Sequence, residues 1–155
     1  MASLRKDFSV AAPADRVWAA LRDFGALHRR LAPGFVTATT MEGDDVRVVT
    51  FFNGATARET LVGRDEGLRR LAYAIVGGRA AHYGAAAQVL AEGEDRSRFV
   101  WTVDVLPDAL APYVEDMMAR GAAAMKEALE AVPAQALGPS AAASAAAPAR
   151  RSRSS

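Results

Sequence analysis

The 155-residue chain contains no cysteine and only two histidines, His28 and His82. Without thiols, disulfides, thiolate metal sites and cysteine nucleophiles are all excluded, and two imidazoles alone are a poor basis for zinc chemistry. No metal and no other cofactor is expected. No run approaches the roughly 18 consecutive apolar residues of a membrane-spanning helix, and the first eight residues alternate charged and apolar side chains where a secretory leader would be continuously apolar. The expectation is a soluble, cytoplasmic protein without membrane insertion. Charge of one sign is also lacking: 19 Lys and Arg stand against 18 Asp and Glu, a net +1, which is no footprint for nucleic acid. A GxSxG elbow, a phosphate-binding glycine loop and an HExxH helix are absent, so serine hydrolase, nucleotide-binding and metalloprotease readings have no support.

What the chain does have is apolar residues, 51% of the total and many of them alanine, enough for one domain with a core. The clearest pattern lies in 110–132, where Leu110, Tyr113, Val114, Met117, Met118, Met125, Leu129 and Val132 recur at helical spacing. Asp116, Arg120, Lys126, Glu127 and Glu130 fall mostly on the opposite arc, so one face of this helix requires an apolar cover. Gly121 sits inside the apolar arc, where it costs about 1 kcal/mol relative to alanine. It marks either the close approach of a bulky sheet side chain or space kept open for a ligand. Met117 and Met125 beside it suit an irregular core or an adaptable pocket wall equally.

Leu4, Lys6, Phe8 and Val10 alternate with Arg5, Asp7 and Ser9, the pattern of a first strand. A short helix follows Pro13, with Val17, Trp18 and Leu21 as its apolar face, and a second short helix is predicted over 23–31 before Pro33 and Gly34. Six further strands are predicted at 35–41, 46–51, 57–63, 69–76, 83–91 and 98–106, separated by turn-forming residues. Short connections favour antiparallel neighbours. The class is therefore α+β: a seven-stranded bent antiparallel sheet around a long C-terminal helix, with two short helices after the first strand. Residues 1–132 make the domain, and 133–155, rich in alanine, serine, proline and arginine, are expected to be a disordered tail.

The first strand running into Ala12, Pro13, Ala14, Asp15, Arg16, Val17, Trp18, Ala19, Ala20 and Leu21, and the segment from Phe99 to Pro107 (Phe-Val-Trp-Thr-Val-Asp-Val-Leu-Pro) running into the long helix, resemble the SRPBCC superfamily. The similarity is greatest to its bacterial polyketide cyclase/dehydrase and lipid-transport group, and more distant to plant abscisic-acid receptors and birch-pollen-type allergens; it covers roughly residues 3 to 132. The resemblance implies a helix-grip fold enclosing an apolar cavity for hydrophobic small molecules, with some members acting as cyclases, aromatases or condensing enzymes. It also implies that the turn Phe52, Asn53, Gly54 and Ala55 matches the receptors' gate loop, and that residues 77–82 match their latch. The gate here lacks the receptors' leucine and proline and the latch lacks their arginine, so abscisic-acid signalling is not implied.

Strand parity nominates the cavity side chains. Ala57, Glu59 and Leu61 share one face opposite Arg58 and Thr60; Tyr73 goes with Ile75 and Leu71; Tyr83 goes with Ala85 and Ala87, whose small size keeps that wall thin; Trp101 goes with Phe99, Val103 and Val105. The candidate ligand contacts are Phe52, Ala57, Glu59, Leu61, Tyr73, Ile75, Tyr83, Ala85, Trp101, Met117, Gly121 and Met125. Glu59 falls, by resemblance, where receptor relatives place a polar cavity residue. A carboxylate in an apolar pocket would have a raised pKa and would hold a ligand hydroxyl or move a proton; the alternative is a surface ion pair with Arg58 or Arg70. Tyr73, Tyr83 and Trp101 would orient a ligand or satisfy the core. His82 would lie at the cavity entrance, His28 beside Arg29 and Arg30 would be exposed, and Asp65, Glu66, Arg69 and Arg70 would be solvated charges around a turn. Three functions follow as expectations: a carrier or sensor for a small hydrophobic ligand, monomeric or homodimeric; a metal-free cyclase, aromatase or dehydratase with Glu59, Tyr83 and His82 as its catalytic candidates; or a protein-interaction module with a filled core.

Overall fold

In the computed structural model, which describes residues 1–131, the period-two segments form strands β1 (Ala2–Val10), β2 (Val36–Glu42), β3 (Val46–Phe51), β4 (Thr56–Asp65), β5 (Arg70–Ile75), β6 (His82–Ala91) and β7 (Ser97–Leu106). They build one sheet in the order β1-β7-β6-β5-β4-β3-β2, with every neighbouring pair antiparallel. Hairpins make every step from β2 to β7, as short connections require. Between β1 and β2 the chain leaves the sheet through helix α1 (Ala14–Arg22), and it ends in helix α2 (Ala111–Ala131). The helix predicted over 23–31 is instead a 3-10 turn, Phe24–Ala26, followed by a single π turn, Leu27–Leu31, closed by Ala32 N–H donating to the Leu27 carbonyl at 2.9 Å. That wider turn brings Leu27 and Leu31 to the core side together.

The sheet is bent, and two register shifts help to bend it. One lies in β2 between Val36 and Ala38, the other in β4 between Leu61 and Gly63; an extra residue on one strand of a pair increases local twist and curvature. Along the central strands the alternation is regular: Leu71 and Tyr73 of β5, Ala85, Ala87 and Val89 of β6, and Phe99, Trp101, Val103 and Val105 of β7 are buried on the concave face. Helix α2 covers that face with Val114, Met118, Gly121, Met125 and Leu129. One flank of α2 is fastened to β1, since Lys126 Nζ donates to the Ser9 carbonyl at 2.6 Å, Glu130 accepts from Ala11 N–H at 2.8 Å, and Lys6 pairs with Glu115. The charges of the turn between β4 and β5 are mostly exposed, as expected, and they are also paired. Glu66 accepts the Trp18 indole N–H at 2.7 Å and pairs with Arg22, while Arg69 pairs with Asp15, so the turn is fastened onto α1. Val132 and the 133–155 segment lie outside the described residues.

Gly121 is explained by close approach. A Cβ built there would lie 3.0 Å from Cε2 of Phe35 and 3.2 Å from two atoms of the Trp101 ring; the glycine lets the helix rest against two aromatic rings and leaves no room for a ligand at that point. Gly121→Ala should therefore lower stability by about 1 kcal/mol in urea unfolding, because displacing both rings costs about 1–3 kcal/mol while the helix-propensity gain is only about 1 kcal/mol. An equal or higher midpoint would show that the rings are not held in place.

Candidate functional site

The sheet and α2 do not meet everywhere. Beyond the Gly121 contact they part around a cavity of about 550 Å³, bounded by the concave faces of β3 to β7, by α2, and by Leu21, Leu27 and Leu31 from the helical crossover. The exposed residues on its boundary, Thr56, Gly77, Gly78, Arg79 and Tyr113, come from the β3–β4 and β5–β6 turns and the start of α2. The cavity therefore meets water at that end. Gly77 and Gly78 both have positive φ, 83° and 78°, a backbone shape that side chains rarely accept. Beside them Arg79 lies over the Tyr113 ring at 5.0 Å, and on the other turn Phe52 lies under Arg120 at 5.4 Å.

Polar chemistry is concentrated on β3, β4, β5 and β6. Arg47 and Glu59 are directly opposed in the β3–β4 ladder, and they are only 5% and 4% exposed. Arg47 Nε and Nη2 reach Glu59 Oε1 at 2.8 and 2.7 Å, and Nη1 donates to the Phe24 carbonyl at 3.1 Å. Both contacts to the carboxylate fall on Oε1; among the described residues no hydrogen bond reaches Oε2. The guanidinium lies 3.9 Å from the Phe24 ring centroid and 5.3 Å from that of Tyr73. A carboxylate expected to sit alone among apolar walls is thus one half of a buried ion pair, and neither Arg58, which pairs with Glu42, nor Arg70 is its partner.

Tyr73 accepts the Trp101 indole N–H at 3.2 Å. Burial pushes the Tyr73 phenol well above its ordinary value, with the nearby Glu59 charge acting in the same direction and Arg47 opposing it. Tyr83 is likewise pushed up, by burial first and then by Tyr73 and Glu59. Tyr83 is half-buried although the molecule surrounds it, because the cavity reaches it, and among the described residues its hydroxyl has no hydrogen-bond partner. Both phenols stay protonated and so remain donors.

Of the residues nominated by parity and resemblance, Ala57, Glu59, Tyr73, Ile75, Tyr83, Trp101, Met117 and Met125 line the cavity. Phe52, Leu61, Ala85 and Gly121 do not. Phe52 is exposed on the β3–β4 turn while Phe51 lines the wall, Leu61 is half-buried beyond the cavity edge, and Ala85 is buried between the lining residues Tyr83 and Ala87 without itself reaching the cavity. His82 is exposed and does not line the cavity: the alternation that turns Tyr83 inward sends its neighbour outward. His28, expected at the surface, is half-buried, with its Nδ1 enclosed and unpaired. Arg47 and Phe35 went unnominated. Arg47 shares parity with Val49 and Phe51, and a hairpin centred on Asn53 pairs it with Glu59, so the signal was present. Phe35, one residue before β2, lines the cavity from a turn where parity does not apply.

A bent antiparallel sheet closed by a long helix over an internal chamber is the helix-grip fold of the SRPBCC superfamily, a ligand-binding architecture. A family model described as polyketide cyclase / dehydrase and lipid transport matches residues 1–134, and the chain belongs to that family. A protein of Thermobifida fusca solved in solution by NMR is 30% identical, with a TM-score of 0.70 over 84% of this chain and 91% of that one. The di-domain aromatase/cyclase (ARO/CYC) BexL of the BE-7585A biosynthetic pathway is 17% identical, with a TM-score of 0.72 over 85% of this chain and 47% of its own. Norcoclaurine synthase of Thalictrum flavum, in complex with dopamine and hydroxybenzaldehyde, is 21% identical, with a TM-score of 0.64 over 83% and 84%. No curated protein matches the chain by sequence. Among the described residues no helix is long and apolar enough to cross a membrane.

Two measurements test the site. Arg47→Met should destabilise by about 3–5 kcal/mol, because it strands the Glu59 carboxylate in the interior, and the double replacement Arg47→Met with Glu59→Leu should recover most of that loss. In alkali the unfolded phenols ionise around the ordinary value of 10.0 while Tyr73 and Tyr83 in the folded protein hold their protons. Their contribution to stability is complete below that value and is lost as pH rises above it. Urea midpoints should fall on raising the pH past 10, and a flat profile there would contradict the assignment.

Proposed function

We propose that the protein binds a small, largely apolar molecule in the cavity between the sheet and α2, acting as a carrier or sensor. One observation carries the reading: a chamber of about 550 Å³ with mostly apolar walls holds two polar atoms with no hydrogen-bond partner among the described residues, Glu59 Oε2 and the Tyr83 hydroxyl. Ligand sites of roughly 300–1,000 Å³ with a few convergent polar groups are the usual form of small-molecule recognition. The apolar walls supply affinity, and Glu59 and Tyr83 orient a polar end. That norcoclaurine synthase holds dopamine and hydroxybenzaldehyde within the same fold supports the reading. The cavity also argues against a protein-interaction module, which would need a filled core.

The same two groups favour a second reading, an enzyme of cyclase or dehydratase type, supported by the likeness to an aromatase/cyclase. There Glu59 would move the proton and Tyr83 would hydrogen-bond a developing oxyanion. Replacing Glu59 with Gln distinguishes the two: a carrier keeps its ligand affinity within about tenfold, whereas an enzyme dependent on proton transfer loses turnover.

Native mass spectrometry of freshly purified protein should show a small apolar molecule leaving with the chain, or uptake of one from a hydrophobic library with quenching of tryptophan emission. Ala57→Phe, which fills the wall between Glu59 and the open end, should abolish uptake while leaving the circular dichroism unchanged. Uptake undiminished in that variant would remove the cavity as the binding site.

A further inference from the structure

The sheet is open, so two of its strands have an unpaired edge, and the two edges are built differently. On β1 the edge strand is charged, with Arg5, Lys6 and Asp7, and α2 fastens it through Lys126 on the Ser9 carbonyl at 2.6 Å and Glu130 on Ala11 N–H at 2.8 Å. On β2 only the first residue is covered, where Val36 N–H donates to the Ala32 carbonyl at 2.9 Å and Pro33 bridges to Val36. From Thr37 to Glu42 the strand pairs with β3 on one side, and among the described residues no backbone hydrogen bond leaves its other side. The devices that normally blunt such an edge are lysine, proline, an inward-pointing charge or a bulge. The run Thr37, Ala38, Thr39, Thr40, Met41 and Glu42 has none of the first three, its bulge lies at the start, between Val36 and Ala38, and every residue but Thr39 is exposed. Three threonines favour the extended form. Glu42, the single charge, is already paired with Arg58. This edge therefore presents neutral, exposed and extended backbone, which another extended backbone satisfies.

We infer that β2 pairs antiparallel with β2 of a second copy, joining two seven-stranded sheets edge to edge about a two-fold axis. The strand's own sequence supplies the match. Opposed residues in an antiparallel pair lie on one face of the sheet; Ala38, Thr40 and Glu42 are on the convex side with Thr50, Val48 and Val46, and Thr39 and Met41 are on the concave side. With Thr40 on the axis, Thr40 meets Thr40, Thr39 meets Met41 and Ala38 meets Glu42. No charge meets its like, and the central threonine pair is one of the favourable cross-strand pairs. A strand from another protein would have to bring the same neutrality, which a second copy has by construction. Because β2 begins opposite Phe51, at the open end of the cavity, and the two strands run in opposite directions, the two openings face opposite ways and neither lies in the contact. Cavity binding and dimer formation are thus separate properties of the fold.

Sedimentation equilibrium over a concentration series should show a monomer–dimer equilibrium in the micromolar range, the strength expected of a contact limited to one edge strand. Ala38→Lys combined with Thr40→Lys places like charges across the axis and should raise the dissociation constant about tenfold or more, while circular dichroism and ligand uptake stay as in the wild type. Because the chain has no cysteine, one introduced thiol reports the contact directly. Under mild oxidation Thr40→Cys should cross-link to a covalent dimer faster than Leu68→Cys, an exposed site on the β4–β5 turn, since a disulfide forms only where two Cα atoms come within about 7 Å. Thr39→Cys and Met41→Cys cover the adjacent registers. A chain that is monomeric at every concentration overturns the proposal and leaves the edge to water or to a strand from a different protein. A dimer that the lysines do not weaken, or one that cross-links as fast through Leu68→Cys as through any β2 position, overturns it as well by placing the contact elsewhere.

Discussion

Two opposite charges facing each other across β3 and β4, almost without solvent, set the terms for everything around them. A buried ion pair persists only when geometry and extra hydrogen bonds compensate its desolvation, and here the compensation comes from three directions. The ladder holds Arg47 opposite Glu59, the Phe24 carbonyl takes a third guanidinium contact, and the Phe24 ring covers the cation. The pair thereby ties the far half of the sheet to the helical crossover, which has no strand hydrogen bonds of its own. It also gives the cavity a polar end while the remainder stays apolar.

The chamber exists because sheet and helix touch in one place and part in another. At Gly121 the absence of a side chain lets α2 settle onto Phe35 and Trp101, which brings the two layers as close as they come. Towards the open end Ala57, and deeper in the chamber Ala87, stand where larger residues would fill the gap. Close packing is the norm in protein interiors, and a gap lined by small residues removes contacts that would otherwise stabilise the fold. The hydrogen bond from Trp101 to Tyr73 fixes two side chains of the sheet wall, and the ties between α2 and the end of β1 fasten the helix along one edge.

Most of the architecture was legible in the chain because it rests on local rules. Period-two alternation located all seven strands to within a few residues, and the helical stripe located α2. The second crossover helix was misread because a π turn satisfies the same spacing of apolar residues, Leu27 and Leu31, that an ordinary helix would. Parity placed Ala57, Glu59, Tyr73, Tyr83 and Trp101 on the concave side. It could not say how far along each strand the cavity runs, which is why Leu61 shares the inner face but stands outside the chamber. Arg47 was hidden by its charge: composition assigns arginine to the surface, and only pairing the hairpin around Asn53 reveals its partner. Glycine at 121 carried two meanings at the level of sequence, and distances to two rings were needed to choose between them.

The open end of the chamber lies between turns and the first residues of α2, not through the sheet. All six pairings of neighbouring strands would therefore stay closed if a molecule passed between the interior and the surrounding water. What has to give way there are side chains such as Tyr113 and Arg79 and a glycine pair, none of which carries a rung of the sheet. Passage through such a doorway would be uncoupled from the cohesion of the walls, so that filling and emptying the chamber would need no partial unfolding.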